Sequence, residues 1–181
     1  MRIARIKVRN FRSIKEVEMT PSSFNILIGQ NNHGKTNFFE AIDWFYGAKG
    51  DIEKIRFGQQ GTEEVSVEIE FVGAQEGASK MKNEKKRTLV KSMLGESDSI
   101  VIKRTSLDQK VRKIFNPTTQ QWLEKNPLGI DPALNHFLPM FEYVSTELNP
   151  LEVSKYGSGK KTPIANMLSG VLTAILEQDE K

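Results

Sequence analysis

Cysteine is absent from the 181 residues, and only two histidines are present. Without cysteine there is no disulfide framework, no thiolate zinc site and no cysteine nucleophile. His33 and His136 lack an acidic or second histidine partner at ligand spacing, which disfavours metal ligation through them. No apolar run reaches the ~18 residues that a membrane span requires, and no signal-peptide core follows the basic start. The expected setting is the cytoplasm, with no membrane partner. An excess of one charge is also missing. Lys+Arg number 26 against 23 Asp+Glu, a net +3 that permits an anionic partner without demanding one. Neither an internal repeat nor a low-complexity linker interrupts the chain. What remains is ordinary globular composition, 38% apolar and 27% charged, at a length suited to one domain with a sizeable core.

Periodicity supplies the elements. From Arg2 to Phe11, Ala4, Ile6 and Val8 alternate with Arg5, Lys7 and Arg9, the pattern of a strand with one wet face. Ile14 to Met19 can form its return partner. Phe24-Asn25-Ile26-Leu27-Ile28 is a short, mostly apolar run and predicts a central strand buried on both faces. Beyond a polar, glycine-rich stretch, Phe38, Phe39, Ile42, Phe45 and Tyr46 recur at helical spacing, so a helix is expected over 35–46, with Gly47 as its stop. Val65, Val67, Ile69 and Phe71 predict a half-buried strand. The stretch 73–86 reads as a loop or hairpin tip. Strands are expected at 88–93, 100–104 and 110–115, forming an antiparallel meander that Asn116-Pro117 breaks. A short helix is expected at 132–138. A final amphipathic helix begins at Thr162-Pro163, with Ile164, Met167, Leu168, Val171, Leu172, Ile175 and Leu176 on one stripe.

One motif carries chemistry. Gly29-Gln30-Asn31-Asn32-His33-Gly34-Lys35-Thr36 fits G-x-x-x-x-G-K-T/S, the Walker A or P-loop pattern, between an apolar run and an amphipathic helix. Such a loop wraps an anion with successive backbone N–H groups, using dihedrals that Gly29 and Gly34 permit. The helix beginning near Lys35 aims its unpaired N–H groups and positive dipole end at phosphate. Lys35 can reach the β- and γ-phosphates, and the Thr36 hydroxyl can take a Mg²⁺ position. His33 is the usual exposed loop histidine and receives no catalytic role. A second glycine-lysine stretch, Gly157 to Thr162, has its first glycine misplaced and no strand leading in, and reads as a flexible basic loop.

Asn10-Phe11-Arg12-Ser13, the run from Phe24 to Asn31, and Lys35-Thr36-Asn37 continuing to Ile42 together resemble the N-terminus of SMC/RecF-type ABC ATPases. Within that group they are most similar to the overcoming-lysogenisation-defect (OLD) family of ATP-dependent endonucleases. Met140 to Ser145 and Thr162 to Leu168 also resemble that family. The resemblance implies an α/β P-loop NTPase lobe, with a mixed sheet and an antiparallel β arm. It implies a nucleotide-binding core over about 1–72 and 139–181 and a β-rich arm over about 73–138. ATP or ADP with Mg²⁺ is the implied ligand, held by Gly29, Asn31, Asn32, His33, Gly34, Lys35, Thr36 and Asn37. Asn10 and Arg12 are implied to lie near the nucleotide; from sequence alone Arg12 also fits a plain surface turn.

Hydrolysis in this class needs carboxylates at the end of an apolar strand, one for Mg²⁺ and one for the attacking water. The sequence has no such strand, no L-S-G-G-Q signature and no acidic cluster of a Toprim nuclease. The expectation is an N-terminal portion of an ABC-type head, able to bind nucleotide, with weak or no turnover alone. The family implies a homodimer of heads in the full-length protein. Rival expectations are a RecF/SMC-like repair or phage-defence ATPase without nuclease, and a non-hydrolysing regulatory module. A basic run, Lys80, Lys82, Lys85, Lys86, Arg87 and Lys91, permits DNA contact. With no aromatic interleaved for base stacking, a solvated loop is the simpler reading.

Overall fold

The computed structural model describes residues 1–143 other than 31, 32, 49, 60, 61 and 118. The chain divides into two units, Met1–Phe141 and Glu142–Lys181. Every described secondary element belongs to the first. The sequence expectations at 144–181, including the helix from Thr162 and the end of the Met140–Ser145 stretch, lie outside the described residues.

Six strands form one sheet in the order β2-β1-β3-β4-β5-β6. They are β1 (Arg2–Phe11), β2 (Ile14–Met19), β3 (Ser66–Val72), β4 (Ser99–Thr105), β5 (Lys113–Asn116) and β6 (Gln121–Trp122). All their pairings are antiparallel. The alternation read in the sequence sets the two faces. Ile6 and Val8 of β1, Val67, Ile69 and Phe71 of β3, and Ile100 and Ile102 of β4 are buried. The opposite face is a lattice of charge. Arg5 pairs with Glu68 and Glu70, Lys7 with Glu16 and Glu18, and Arg9 with Glu16.

Helix α1 (Lys35–Gly47) covers the apolar face through Phe38, Ala41, Ile42, Trp44 and Phe45. Phe45 lies 6.4 Å from Phe71 and Trp44 6.1 Å from Phe11, ring centre to ring centre. Arg104 fastens the end of this helix. Its buried guanidinium donates to the carbonyls of Phe45 and Gln109, and burial pushes its pKa down to about 10. That value leaves Arg104 charged at neutral pH. The helix runs through Gly47 and stops at Ala48, which takes the left-handed conformation (φ 52°). A short helix, α2 (Ile52–Ile55), follows. Its N-cap Asp51 accepts from the Glu53 N–H.

Two sequence expectations fail in the stretch after β3. Residues 73–86 are not a loop and 88–93 are not a strand; they hold α3 (Ala74–Ser79) and α4 (Glu84–Leu94). The reason is capping plus a 3.6-residue period. Asn83 accepts from the Lys86 N–H, and Val90 and Leu94 turn inward one turn apart. The strand expected at 110–115 begins later, at Lys113. Helix α5 (Ile130–Phe137) then packs by α4 and buries Ile130, Ala133, Leu134 and Phe137.

The third correction is Phe24–Ile28. It is not a buried central strand: it has no strand hydrogen bonding, and Phe24, Ile26 and Ile28 are 77%, 68% and 91% exposed. An apolar run becomes a central strand only when neighbours pair its backbone on both edges. No described strand pairs with it.

Candidate functional site

The loop–helix junction, the β1–β2 turn and the segment after α2 meet at one end of α1. Gly34 caps that helix with φ 85°, a conformation glycine adopts without steric cost, and no side chain caps the first turn. No acid lies in the first turn either. The helix therefore presents its leading N–H groups and positive dipole end without a competing carboxylate there. The closeness of the β1–β2 turn adds a second demand on Gly34. A Cβ at that position would sit 2.9 Å from Ser13 Oγ.

Lys35 reaches back over the loop. Its ammonium donates to the carbonyls of Gly29 and Gln30, both at 2.6 Å. Those two carbonyls accept from the ammonium and hold it over the loop. Thr36 stands exposed in the first turn beside it. Asn37 is bound to the neighbouring turn, donating to Ser13 Oγ at 2.7 Å and accepting from Arg12 Nη1 at 3.5 Å. Arg12 also forms an ion pair with Glu40 of α1. His33 is exposed, and Asn31 and Asn32 lie outside the described residues.

The β1–β2 turn is fixed from its other side as well. The Arg12 N–H donates to the Ile55 carbonyl at 2.6 Å, the Gly58 N–H donates to the Arg12 carbonyl at 3.2 Å, and Phe11 bridges to Arg56. Asn10 and Arg12 both have positive φ, 54° and 50°. That backbone is uncommon outside glycine, and the two side chains have different partners. Asn10 donates to the Glu64 carbonyl and lines a separate cavity with Lys7, Arg9 and Glu63. Of the residues expected from sequence, Gly34, Lys35, Thr36, Asn37 and Arg12 come together at the start of α1, with Gly29 tied in through Lys35. Asn10 does not join them.

Sequence reasoning missed Ser13, Glu40, Lys54 and Phe57. Glu40 had a signal, since it stands three residues after Asn37 on the same helix face, where i,i+3 neighbours meet. Lys54 and Phe57 had none, because only the closure of 55–58 onto the β1–β2 turn brings them here. Among the described residues no group of three or more His, Cys, Asp or Glu could hold a metal ion.

The chain as a whole is similar to known proteins. A family model described as AAA ATPase domain matches residues 1–168. The chain belongs to that family. It is 25% identical over 187 aligned residues to the Old nuclease of Escherichia phage P2, covering 100% of the chain and 31% of that relative. It is 38% identical over 81 residues to the DNA replication and repair protein RecF of Desulforudis audaxviator, across 40% of the chain and 21% of RecF. A solved structure from work on ATP-driven dimerization and DNA-stimulated activation of SMC ATPases superposes with a TM-score of 0.53 at 18% identity. It covers 83% of this chain and 94% of that one. This AAA ATPase domain thus has the P-loop NTPase fold of SMC-type heads, and it spans about a third of the Old nuclease it matches. No helix among the described residues is long and apolar enough to cross a membrane.

Proposed function

We propose that this domain is the nucleotide-binding lobe of a DNA-associated, cytoplasmic ABC-type ATPase, and that it takes ATP or ADP with Mg²⁺ at the start of α1. The observation that carries the reading is the pose of Lys35. A lysine held by two carbonyls of its own loop, over a helix start with no capping side chain and no acid, is arranged to exchange those acceptors for phosphate oxygens. Gly29 and Gly34 let the loop backbone close around the anion, Thr36 offers its hydroxyl to Mg²⁺, and Arg12 adds a second cation. When bound, Mg²⁺ supplies charge neutralisation between the phosphates. Lys35→Ala is expected to weaken ATP binding by more than about tenfold, given the strength of charge-assisted phosphate contacts. Calorimetric titration with Mg-ATP measures it, and undiminished affinity removes Lys35 from the site.

Within this reading the chain works as part of an OLD-like ATP-dependent endonuclease, as one head of a homodimer whose nucleotide state governs access to DNA. A RecF/SMC-like repair or phage-defence ATPase without nuclease is the alternative, and a Toprim-type acidic cluster encoded downstream separates the two. The exposed row of Phe24, Ile26 and Ile28 supports a lobe that shares its sheet with further chain. A binding module with no turnover of its own is the third reading. Hydrolysis by the 181-residue chain at ordinary enzyme rates, about 1 s⁻¹ or faster, would rule that out.

A further inference from the structure

The charged face of the sheet changes character from one edge to the other. Toward β2 the cations are compensated: Arg5 meets Glu68 and Glu70, Lys7 meets Glu16 and Glu18, and Arg9 meets Glu16. Toward β6 the compensation stops. Lys103 of β4 and Lys113 of β5 stand directly opposite each other in the register, and neither forms an ion pair among the described residues. Glu68, the neighbour of Lys103 on its other side, is engaged by Arg5 at 3.1 Å. Like charges directly opposite on two strands cost stability. Two aromatic rings lie beside them. Phe115 and Trp122 are partners across β5 and β6, packed edge to face with centres 5.4 Å apart, and the Lys103 ammonium sits over the Trp122 ring, 4.3 Å from its centre. Lys103, Lys113 and Phe115 alternate with the buried Ile102 and Ile114, so they belong to the outward face, and all are half-buried, as is Trp122.

We propose that this corner of the sheet binds single-stranded DNA, with Lys103 and Lys113 on phosphates and the Trp122 indole against the face of a base. The paired lysines carry charge that the protein leaves uncompensated, and a phosphate backbone supplies the missing anions. The rings add what a phosphate does not need, a π-face on which any base can stack. In a duplex the base faces are already covered by one another, so only a single strand offers one to Trp122. The cation–π contact holds the indole in place until then. On binding, Lys103 exchanges the ring for a phosphate oxygen and the base takes the face it leaves. Sheet surfaces with aromatics among basic residues stack two or three bases, which suits a patch three strands wide, about 10 Å. The basic run on α4 has no ring interleaved, whereas here strand pairing places lysine and ring together from three separate segments. The choice of DNA as the polyanion rests on the DNA-associated reading; the face and the form of the strand go beyond it.

The test titrates the 181-residue chain, by fluorescence anisotropy, with labelled oligo-dT of about fifteen nucleotides and with a duplex of the same length. Oligo-dT is expected to bind more tightly. Trp122→Ala weakens oligo-dT by about tenfold, the usual cost of one lost stacked base, and leaves the duplex within about twofold. Trp122→Phe keeps oligo-dT within about threefold and serves if the alanine variant does not fold. Lys103→Gln and Lys113→Gln each lower the slope of log affinity against log salt by about 0.7, a readout that a merely structural role would not move. The chain has two tryptophans and Trp44 is buried, so quenching of the accessible indole emission by oligo-dT reports Trp122. An oligo-dT affinity indifferent to Trp122→Ala, or a salt slope unchanged in both lysine variants, overturns the site. So does tighter binding of oligo-U or polyglutamate than of oligo-dT, which would make the patch an RNA or acidic-protein surface. Duplex bound without dependence on these residues leaves the DNA-associated reading standing and removes this patch; no binding of either DNA form removes both.

Discussion

Val65 to Phe71 and Phe24 to Ile28 are both short runs with large apolar residues at every second position, yet they meet opposite environments. Strand β3 is hydrogen-bonded to β1 and β4 along its length, and Val67, Ile69 and Phe71 are fully buried. In 24–28 only Leu27 leans on the core, and Phe24, Ile26 and Ile28 face outward. The residues are equally hydrophobic; the difference is the supply of neighbours. A strand is a cooperative object whose backbone groups need partners before its side chains can be buried. The β1–β2 turn likewise owes its place to neighbours: Ile55 and Gly58 hold its backbone from one side, and Asn37 holds Ser13 from the other.

The comparison is broken most forcefully by truncating one residue in each run. Phe71→Ala is expected to destabilise the domain by about 3–5 kcal/mol, the usual cost of emptying a packed aromatic site. Ile28→Ser should stay within about 0.5 kcal/mol, as surface changes do. Urea denaturation of both variants reads the difference, and equal losses would show that 24–28 is as well covered as β3.

A second pair of outcomes concerns what replaces strand pairing elsewhere. Arg112 is 1% exposed and ties the start of β5 to α5 through Asp131 Oδ1 at 2.9 Å and Asn135 Oδ1. Arg112→Ala should cost about 2–4 kcal/mol, since Asp131 and Asn135 lose their partner in a largely dry setting. A thermal shift of only a degree would place this contact with the weak surface pairs.

At the phosphate loop a smaller stability loss should accompany a larger loss of binding. Gly34→Ala forces a side chain into a left-handed backbone and toward Ser13 Oγ, at about 1 kcal/mol in stability. Parallel melts and Mg-ATP titrations decide whether binding falls further than stability does. The smallest effect belongs to the charged face of the sheet. Hydrogen bonds from Arg9 and Lys7 hold the Glu16 carboxyl below the usual carboxylate range, and the hydrogen bond from Lys7 does the same for Glu18. Their contribution is present above the unfolded carboxylate pKa and is lost as pH falls through the folded values. Both groups are exposed, so melts at falling pH should show only a slight decline traceable to them. Glu16→Gln should flatten part of it.

The antiparallel frame was legible because its alternation is strict and each turn is marked. Arg2 to Phe11 and Val65 to Phe71 could fold against little else. Helix α1 was legible from the spacing of Phe38, Ile42 and Phe45. Helix α4 was misread because Thr88 and Val90 favour strands locally, while the Asn83 cap and the inward turn of Val90 and Leu94 favour a helix in context. That Gly34, Lys35 and Thr36 stand together at the start of α1 was readable because they are consecutive in the chain. Phe57 and Lys54 were not, since no spacing links them to Lys35.

What the sequence determined by itself was the Walker A pattern ahead of α1 and the two faces of the sheet, because both follow from residues one to eight positions apart. Tertiary structure alone decided that Arg12 meets Asn37 and Glu40, that Asn10 turns away to Glu64, and that Phe57 stands beside the helix start. Those relations depend on which strands pair and which segments close over them. Pairing is set by the free energy of the whole sheet, a quantity no short stretch of sequence contains.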